Sequence, residues 1–494
     1  MYNLSLKHYF SIVLFAFSIP IFAQNNATPD KKFSSTELKA DLKILKENME
    51  AIHTALYLYF PKDSLDAAFA NVEAALNEPK SEIEFYRLLR PTLKYIANGH
   101  TDYYNSKAYM KKLGEELPRF PFDVYWDRDT LFVFRNLSEA EEIKPGYFIK
   151  EINGKTPKEY IEFFASQMTR DGYNKSLRIR SASDGFKSYF ALMIGTPENY
   201  KMVFQNGMEK EFSKTIKAEL LPKIREVRRA RYPNLPKSMW TTKEPAYTLK
   251  INGDVATMTL KTFSKSWVRK TTGKSHKKFF KESFQKIKEN NVRHLIIDMR
   301  SNGGGDPEPT IALFAHLYDQ RFDFYDDMGL LVNKIPNAKL YDSGAKMLNL
   351  FAWARVKKRD GGYVAKSLRK YRNCKPAKNV FKGKTYVLTD PYSFSATGEM
   401  TGIIKDYNLA TFIGEEAGGN PVSNTSGVML PLVLPNTKIR AILPIVQFEM
   451  ALKMENTGFG VQPDHEVKNT IWDLLEGRDA AMDFTRKLIE QPTK

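Results

Sequence analysis

The chain has 494 residues, of which 42% are hydrophobic, 13% aromatic and 27% charged. This length exceeds what one hydrophobic core supports, and the apolar content excludes disorder for the bulk of the chain, so two or three folded domains are expected. The single cysteine, Cys374, excludes an intramolecular disulfide. The formal net charge of +18 comes without a nucleic-acid-binding motif, so we interpret the basic patches as solvated faces and expect no nucleic-acid partner.

Residues 1–23 have the pattern of a cleavable export signal. Lys7 makes the start positive, an apolar run extends from Phe10 to Ala23, and a polar stretch begins at Gln24. The run is short for a membrane span, and the alternative is an uncleaved N-terminal anchor. We therefore expect cleavage after Ala23, a flexible segment over 24–33, and a periplasmic or secreted protein without a stable membrane span.

Residues 34–115 are predicted to form a helical N-terminal domain. Ser34 and Glu37 make a capping box, and an apolar stripe with spacings of three and four residues follows it. A second helix carries Leu65 to Leu76. A third is predicted from 81 to 98, with a bend at Pro91.

Residues 116–220 are predicted to form a small β-rich domain. The segments 122–126 and 130–134 are rich in aromatic and β-branched residues, as strands are, and further strands are expected near 187–220. Asn153-Gly154 marks a turn after another strand. The following stretch, 221–245, places prolines between basic residues, and we interpret it as a linker.

From residue 246 to 490 strands alternate with helices, which predicts an α/β layer with a parallel sheet. Val255–Leu260, His294–Asp298 and Thr385–Leu388 are the clearest strands because each is a short apolar run with polar flanks. The segment 428–452 has a Pro-Asn-Thr turn between apolar flanks and is predicted to be a hairpin.

Two loops that follow buried strands are candidate sites, because sites in parallel α/β sheets form beyond the carboxyl ends of the strands. The loop 298–305 contains three successive glycines, whose amides can form an oxyanion hole or cradle a phosphate; the alternative is a tight turn. The loop 390–399 leads into a helix. Ser393 and Ser395 are both candidate nucleophiles there, and either can instead be an N-cap.

A serine nucleophile needs a base, and the chain has seven histidines. Most of them fall in the export signal, on predicted helices or strands, or among lysines. His100 differs, because it lies in a loop between a glycine-marked helix end and a predicted strand, at a domain junction. It is a candidate base, and the residues alone leave an ordinary structural role open. No cluster of His, Cys and Glu has metal-ligand spacing, so neither a metal nor another cofactor is expected.

Four motifs, in order along the chain, resemble those of the S41 peptidases, the tail-specific or C-terminal-processing family that includes the tricorn-core branch. They are Asp298-Met-Arg-Ser-Asn-Gly-Gly-Gly305, Ser393-Phe-Ser-Ala-Thr-Gly-Glu399, Gly414-Glu-Glu-Ala-Gly-Gly419 and Gly460-Val-Gln-Pro-Asp464. The resemblance implies an α/β catalytic core of ClpP/crotonase-like βαβ layers over 246–490. It also implies that the β-rich domain over 116–220 is PDZ-like.

The same resemblance implies that Ser395 is the nucleophile. The amides of Ala396 and Gly304 are then the oxyanion donors, with Gly303 as the donor if the glycine register differs by one. Dyad members of the family carry a lysine 25 residues after the serine, a position that Asn420 occupies here. The resemblance therefore implies a base other than lysine.

Asn98-Gly-His-Thr101 is similar to the Gly-His-Thr signature of the tricorn-like branch, which implies that His100 is the base. That branch has a serine before the histidine, where Gly99 stands here, and a glutamate that corresponds to Glu455. Thr101, Asp102 and Glu455 are the candidates for the group that orients His100.

These features predict a serine-type peptidase that hydrolyses peptide bonds of exported proteins through an acyl-enzyme. Its partner is a polypeptide substrate, and its oligomeric state stays open. The alternative hypothesis is a non-catalytic peptide- or lipid-binding protein on the same fold, which the missing lysine and the missing serine favour.

Overall fold

The computed structural model describes residues 30–207, 210–233, 245–342 and 344–491. The predicted export signal, most of the segment 24–33 and the second half of the predicted linker lie outside these residues. Within the described ranges, no helix is both long enough and apolar enough to cross a membrane.

The first region is mainly helical. Its elements, in chain order, are β1 (Lys32–Phe33), α1 (Ser35–Ile52), α2 (Lys62–Ala74), β2 (Lys80–Ser81), α3 (Glu82–Leu89), α4 (Leu93–Ile96), β3 (Asp102–Tyr104) and α5 (Lys107–Glu115). The capping box predicted for α1 is present, because the backbone N–H of Glu37 donates to Ser34 Oγ and that of Ser34 donates to the Glu37 carboxylate. Pro91 interrupts the third predicted helix, which continues through one 3₁₀ turn into α4.

The second region is an antiparallel sheet of five strands in the order β4-β5-β6-β7-β8, with helices inserted between β6 and β7. Its elements are β4 (Phe122–Asp127), β5 (Thr130–Asn136), β6 (Phe148–Ile152), α6 (Pro157–Ser166), α7 (Ser176–Asp184), α8 (Phe186–Tyr189), a π-helical turn (Phe190–Ile194), β7 (Asn199–Gln205), β8 (Glu211–Lys217) and α9 (Leu221–Arg231).

Two predictions for this region need correction. Residues 186–194 are helical, whereas strands were expected from 187. The segment predicted as a linker begins with α9, which packs on the sheet: Arg228 lies 2.7 Å from the half-buried carboxylate of Asp123, and the N–H of Asn136 donates to the Tyr232 hydroxyl. The first part of this basic segment is therefore an ordered helix that shares Asp123 with Arg135 and Lys187.

The third region contains the central α/β layer. Its elements are β9 (Tyr247–Asn252), β10 (Val255–Leu260), α10 (Lys265–Thr272), α11 (His276–Glu289), β11 (His294–Asp298), α12 (Pro307–Phe314), β12 (Tyr325–Leu330), α13 (Ala345–Leu350), α14 (Ala352–Arg355), β13 (Val356–Arg359), β14 (Gly362–Ala365), β15 (Lys384–Thr389), α15 (Ala396–Asp406), β16 (Thr411–Gly414), β17 (Ser423–Thr425), β18 (Met429–Val433), β19 (Arg440–Pro444), β20 (Gln447–Met450), β21 (His465–Glu466), α16 (Ile471–Glu476) and α17 (Ala480–Glu490).

The central sheet has the strand order β21-β16-β15-β11-β10-β9. All neighbours are parallel except β9, which is antiparallel to β10. The predicted α/β layer is therefore confirmed. Asp298 of β11 pairs with Leu388 of β15, so the two candidate loops leave the same edge of the sheet side by side.

An early strand completes a late sheet. Of the hairpin predicted over 428–452, β18 and β19 are present, whereas β20 pairs with β12 and β17 in another sheet. Strand β3 joins the hairpin as a third strand, with Asp102 opposite Ile442. The buried face of α1 and the strands of the central layer belong to one continuous hydrophobic cluster. This pairing brings the loop that precedes β3, with His100 in it, to the central layer.

Candidate active site

Ser395 lies at the turn from β15 into α15, directly before the first helical residue. Its backbone has φ 57° and ψ −128°, a left-handed conformation that costs a non-glycine residue about 1–3 kcal/mol and is concentrated at functional sites. Ser393 is fully buried instead, and its hydroxyl donates to the carbonyl of Met299 at 3.0 Å. Of the two candidate serines, Ser395 is therefore the one with an accessible hydroxyl.

His100 meets this serine across 295 residues of chain. Its Nε2 lies 3.1 Å from Ser395 Oγ, and its ring stacks on that of Phe394 at a centroid distance of 4.8 Å. Burial of the ring lowers the pKa of His100 to about 4. The imidazole is therefore neutral at pH 7 and can accept a proton from the hydroxyl.

The loop that carries His100 is shaped by Asn98. Helix α4 ends at Ile96, and its C-cap Ala97 has φ 48°. The side-chain oxygen of Asn98 then accepts the backbone N–H of His100 at 3.1 Å. The amide nitrogen of Asn98 donates to Thr425 Oγ1 at 2.5 Å, which ties the loop to β17. A local Asx turn and one long-range bond thus fix the backbone at His100.

The predicted orienting residues do not hold the second ring nitrogen. Nδ1 of His100 is buried and has no hydrogen-bond partner among the described residues. The Thr101 hydroxyl lies 2.7 Å from His53 Nε2, and Asp102 forms an ion pair with Arg90. The expectation that Thr101 or Asp102 orients the ring is therefore not met in this structure.

Glu455 is also directed elsewhere. Its side chain is exposed, and the loop around it is fixed by Asp406, whose carboxylate accepts the backbone N–H groups of Lys453 and Met454. The neighbouring residue, Asn456, is also exposed, and its side-chain oxygen accepts a hydrogen bond from the Asn420 amide at 2.8 Å. Among the described residues, Nδ1 of His100 has no hydrogen-bond partner, so Glu455 does not hold the ring in this structure.

The first predicted oxyanion donor, the amide of Ala396, opens α15 at the positive end of the helix dipole. Gly304 lies against it: a Cβ at Gly304 would be 2.8 Å from the Ala396 nitrogen and 2.8 Å from Ser395 Cβ. The N–H of Gly304, however, donates to Asn302 Oδ1 at 2.9 Å. The predicted second donor is thus already bonded, and Gly303, the alternative in register, is exposed.

Asn420, at the position where the sequence resemblance implies a lysine in dyad peptidases, is buried and hydrogen-bonded. Its side-chain nitrogen donates to the Tyr59 hydroxyl at 2.9 Å and to Asn456 Oδ1 at 2.8 Å. A carboxamide has no basic nitrogen to accept a proton at neutral pH. Asn420 therefore connects loops and cannot take the place of the lysine as a proton acceptor.

Two site residues escaped the sequence reasoning. Phe394 forms the platform under the His100 ring, and Asp171 binds the backbone on either side of the site, at Gly99 and Asn420. Phe394 directly precedes Ser395 in the serine motif, and this position is a sequence signal that it lies beside the active site. Asp171-Gly172 resembles an ordinary surface turn, and nothing in that pair indicates a buried carboxylate.

Known proteins resemble this chain in sequence motifs and in fold, and the sequence match covers the region that contains Ser395. The model of peptidase family S41 matches residues 254–467, a range that contains Ser395 and the glycine loop. The structure of mature CPAF complexed with lactacystin is 14% identical, with a TM-score of 0.62 over 92% of this chain and 98% of that one. Mature CPAF is 13% identical, with a TM-score of 0.62 over 92% and 96%. These two likenesses show a shared fold. No curated protein matches the chain by sequence.

Proposed function

Since the chain is a serine-type peptidase of family S41, we propose that it hydrolyses peptide bonds through an acyl-enzyme on Ser395, with His100 as the general base. The observation that carries this proposal is the contact of 3.1 Å between Ser395 Oγ and His100 Nε2. This distance is within the range in which a base accepts the proton of a nucleophile.

The proposed reaction begins when Ser395 Oγ attacks the carbonyl carbon of the scissile peptide and His100 Nε2 takes the hydroxyl proton. The imidazolium then returns this proton to the leaving amine, and the C–N bond breaks. Water, deprotonated by the same nitrogen, hydrolyses the ester on Ser395. The cost of charging a buried ring raises the driving force for the return of the proton.

We propose that the oxyanion is bound by the amides of Ala396 and Gly303. Ala396 is supported by its place at the start of α15, where N–H groups have no partner within the helix. Two observations support Gly303 as the second donor. It is exposed, and the N–H of the adjacent Gly304 already donates to Asn302 Oδ1. Two such donors supply the stabilisation that acyl transfer requires.

We also propose that the substrates are exported polypeptides. This rests on the signal-like composition of residues 1–23 and on the peptidase family. An extended substrate can add to a free sheet edge, as peptides do in β-augmentation. The antiparallel sheet of β4 to β8, which the sequence resemblance interprets as PDZ-like, offers β8 as such an edge.

Reaction with a fluorophosphonate probe tests the nucleophile. The full chain is treated with the probe and digested with trypsin, and the peptide 385–405 is sequenced by mass spectrometry. We expect one adduct, on Ser395, together with cleavage of fluorescently labelled, unfolded casein. A folded protein that neither reacts with the probe nor cleaves casein would contradict the proposal and favour the non-catalytic alternative.

The pH dependence of this reaction tests the base. Protonation of His100 removes its acceptor, and burial lowers the pKa of that nitrogen from 6.5 to about 4. We therefore expect the phosphonylation rate to stay constant from pH 7 to about 5 and to reach half its value near pH 4. Circular dichroism at each pH restricts the measurement to folded protein. A rate that halves near pH 6.5 in folded protein would show that a solvated histidine is the base.

A further inference from the structure

Asp171 places a buried carboxylate between the two loops of the active site. Its side chain is 4% exposed and lies in the connection between α6 and α7. Oδ1 accepts the backbone N–H of Gly99 at 2.7 Å, and Oδ2 accepts that of Asn420 at 3.2 Å. Among the described residues, no cation forms an ion pair with it. A buried carboxylate without a cation beside it is costly, so its presence between these loops calls for a functional explanation.

Each oxygen of Asp171 holds a loop that carries or supports one half of the dyad. Gly99 directly precedes His100. Asn420 directly follows Gly419, where a Cβ would lie 2.9 Å from the Ser395 nitrogen, and the Gly419 N–H donates to Ser393 O at 3.2 Å. The carboxylate therefore links the backbone of the base to the backbone that packs on the nucleophile.

The same connection binds the whole loop before the base. The N–H of Gly172 donates to the carbonyl of Ala97 at 2.9 Å, and the Thr169 hydroxyl donates to that of Asn98. Together with the bond from Gly99 to Asp171, three consecutive residues of the base loop are held by residues 169–172. Nδ1 of His100 has no hydrogen-bond partner among the described residues, so this backbone clamp, the Asn98 turn and the Phe394 ring fix the imidazole.

We propose that Asp171 is a positioning residue for the base, setting the distance between His100 and Ser395 through the backbone instead of through Nδ1. This inference rests on the proposed roles of Ser395 and His100. Gly99 fits the arrangement, because a Cβ there would lie 2.9 Å from Asp171 Oδ1 and 2.4 Å from the Phe394 ring. A glycine before the base thus lets the carboxylate and the ring approach the loop.

The test is a double-mutant cycle of Asp171→Asn with His100→Ala, read as the second-order rate of phosphonylation. In Asp171→Asn, the amide nitrogen must face one of the two backbone N–H donors. We expect the rate to fall about thirty-fold, since a displacement of about 1 Å can cost up to about 10²-fold. In the His100→Ala background the same substitution is expected to change the rate less than twofold. For casein cleavage, kcat falls and KM stays within about twofold.

Asp41→Asn is the matched control. Asp41 is a buried carboxylate on α1 that also accepts two backbone N–H groups, those of Asn436 and Thr437, at the hairpin turn between β18 and β19. We expect this variant to lower the unfolding temperature and to keep the phosphonylation rate within twofold. If Asp171→Asn does not fold, Asp171→Glu, which keeps the charge but changes the reach, enters the same cycle.

The outcomes separate the two proposals. If His100→Ala itself leaves the rate unchanged, the proposed base is wrong and the inference on Asp171 fails with it. If His100→Ala lowers the rate but the Asp171 substitution costs the same factor in both backgrounds, only the positioning role is wrong. A loss confined to the background that contains His100 supports it.

Discussion

Replacement of Ser395 by alanine is expected to lower kcat for casein cleavage at least about 10⁴-fold and to abolish phosphonylation, with the fold retained. The substitution removes the atom that forms the acyl-enzyme. It removes little else, because the Ser395 side chain accepts no hydrogen bond from the backbone N–H groups of the first turn of α15. Alanine also adopts the same positive φ at the same cost in backbone strain as serine. The measurements are kcat, adduct mass and the unfolding temperature.

Ser393→Ala is the matched control for this prediction. Its hydroxyl donates to the Met299 carbonyl and accepts the N–H of Asp390 at 3.1 Å, so both partners lose a buried bond. We expect the free energy of unfolding to fall by about 1–3 kcal/mol, with the probe still bound to Ser395. If activity survives in Ser395→Ala and disappears in folded Ser393→Ala, the proposed assignment is wrong and Ser393 is the nucleophile.

The sequence predicted those elements whose signals are local. The spacing of apolar residues in α1, the capping box at Ser34 and the break at Pro91 depend on neighbours a few residues away, and all three are present. The turn at Asn153-Gly154 has positive φ at both residues, which this pair adopts readily. Such features depend on the conformational preferences of neighbouring residues and on the spacing of apolar residues, and not on tertiary contacts.

The helical segment 186–194 shows where this reasoning fails. Its aromatic and apolar residues favour a strand by propensity, but the rings of Phe186 and Phe190 pack around Phe120, and that of Phe190 also contacts Tyr200. Burial in this aromatic cluster outweighs the local preference. The pairing of β3 with β19 joins segments more than 300 residues apart, and no local signal reports it.

In the candidate site, too, local motifs identified some residues, whereas residues that act through long-range contacts were missed. Motifs indicated Ser395 and His100, because the chemistry of acyl transfer restricts which residue types can serve. The groups around them act through backbone amides: Asn302 occupies the N–H of Gly304, and Asp171 those of Gly99 and Asn420. Any acceptor of suitable reach can make such bonds, so residue type carries little information about them.

Replacement of His100 by alanine is expected to lower kcat at least about 10³-fold, because the proton of Ser395 then has to pass to water. The residual rate should rise about tenfold per pH unit as hydroxide replaces the imidazole as the acceptor. His276→Ala is the control: His276 is also buried and its pKa is also lowered to about 4, but it lies on α11, and we expect kcat within twofold.

The combination of His100→Ala with Ser395→Ala decides whether the two residues act as one unit. If His100 acts only on the proton of Ser395, its loss costs nothing once the hydroxyl is gone, and the double variant should match Ser395→Ala within experimental error. A further loss in the double variant would mean that His100 contributes to substrate binding or to the fold. A single variant His100→Ala that keeps more than a tenth of the wild-type kcat would require another proton acceptor beside Ser395.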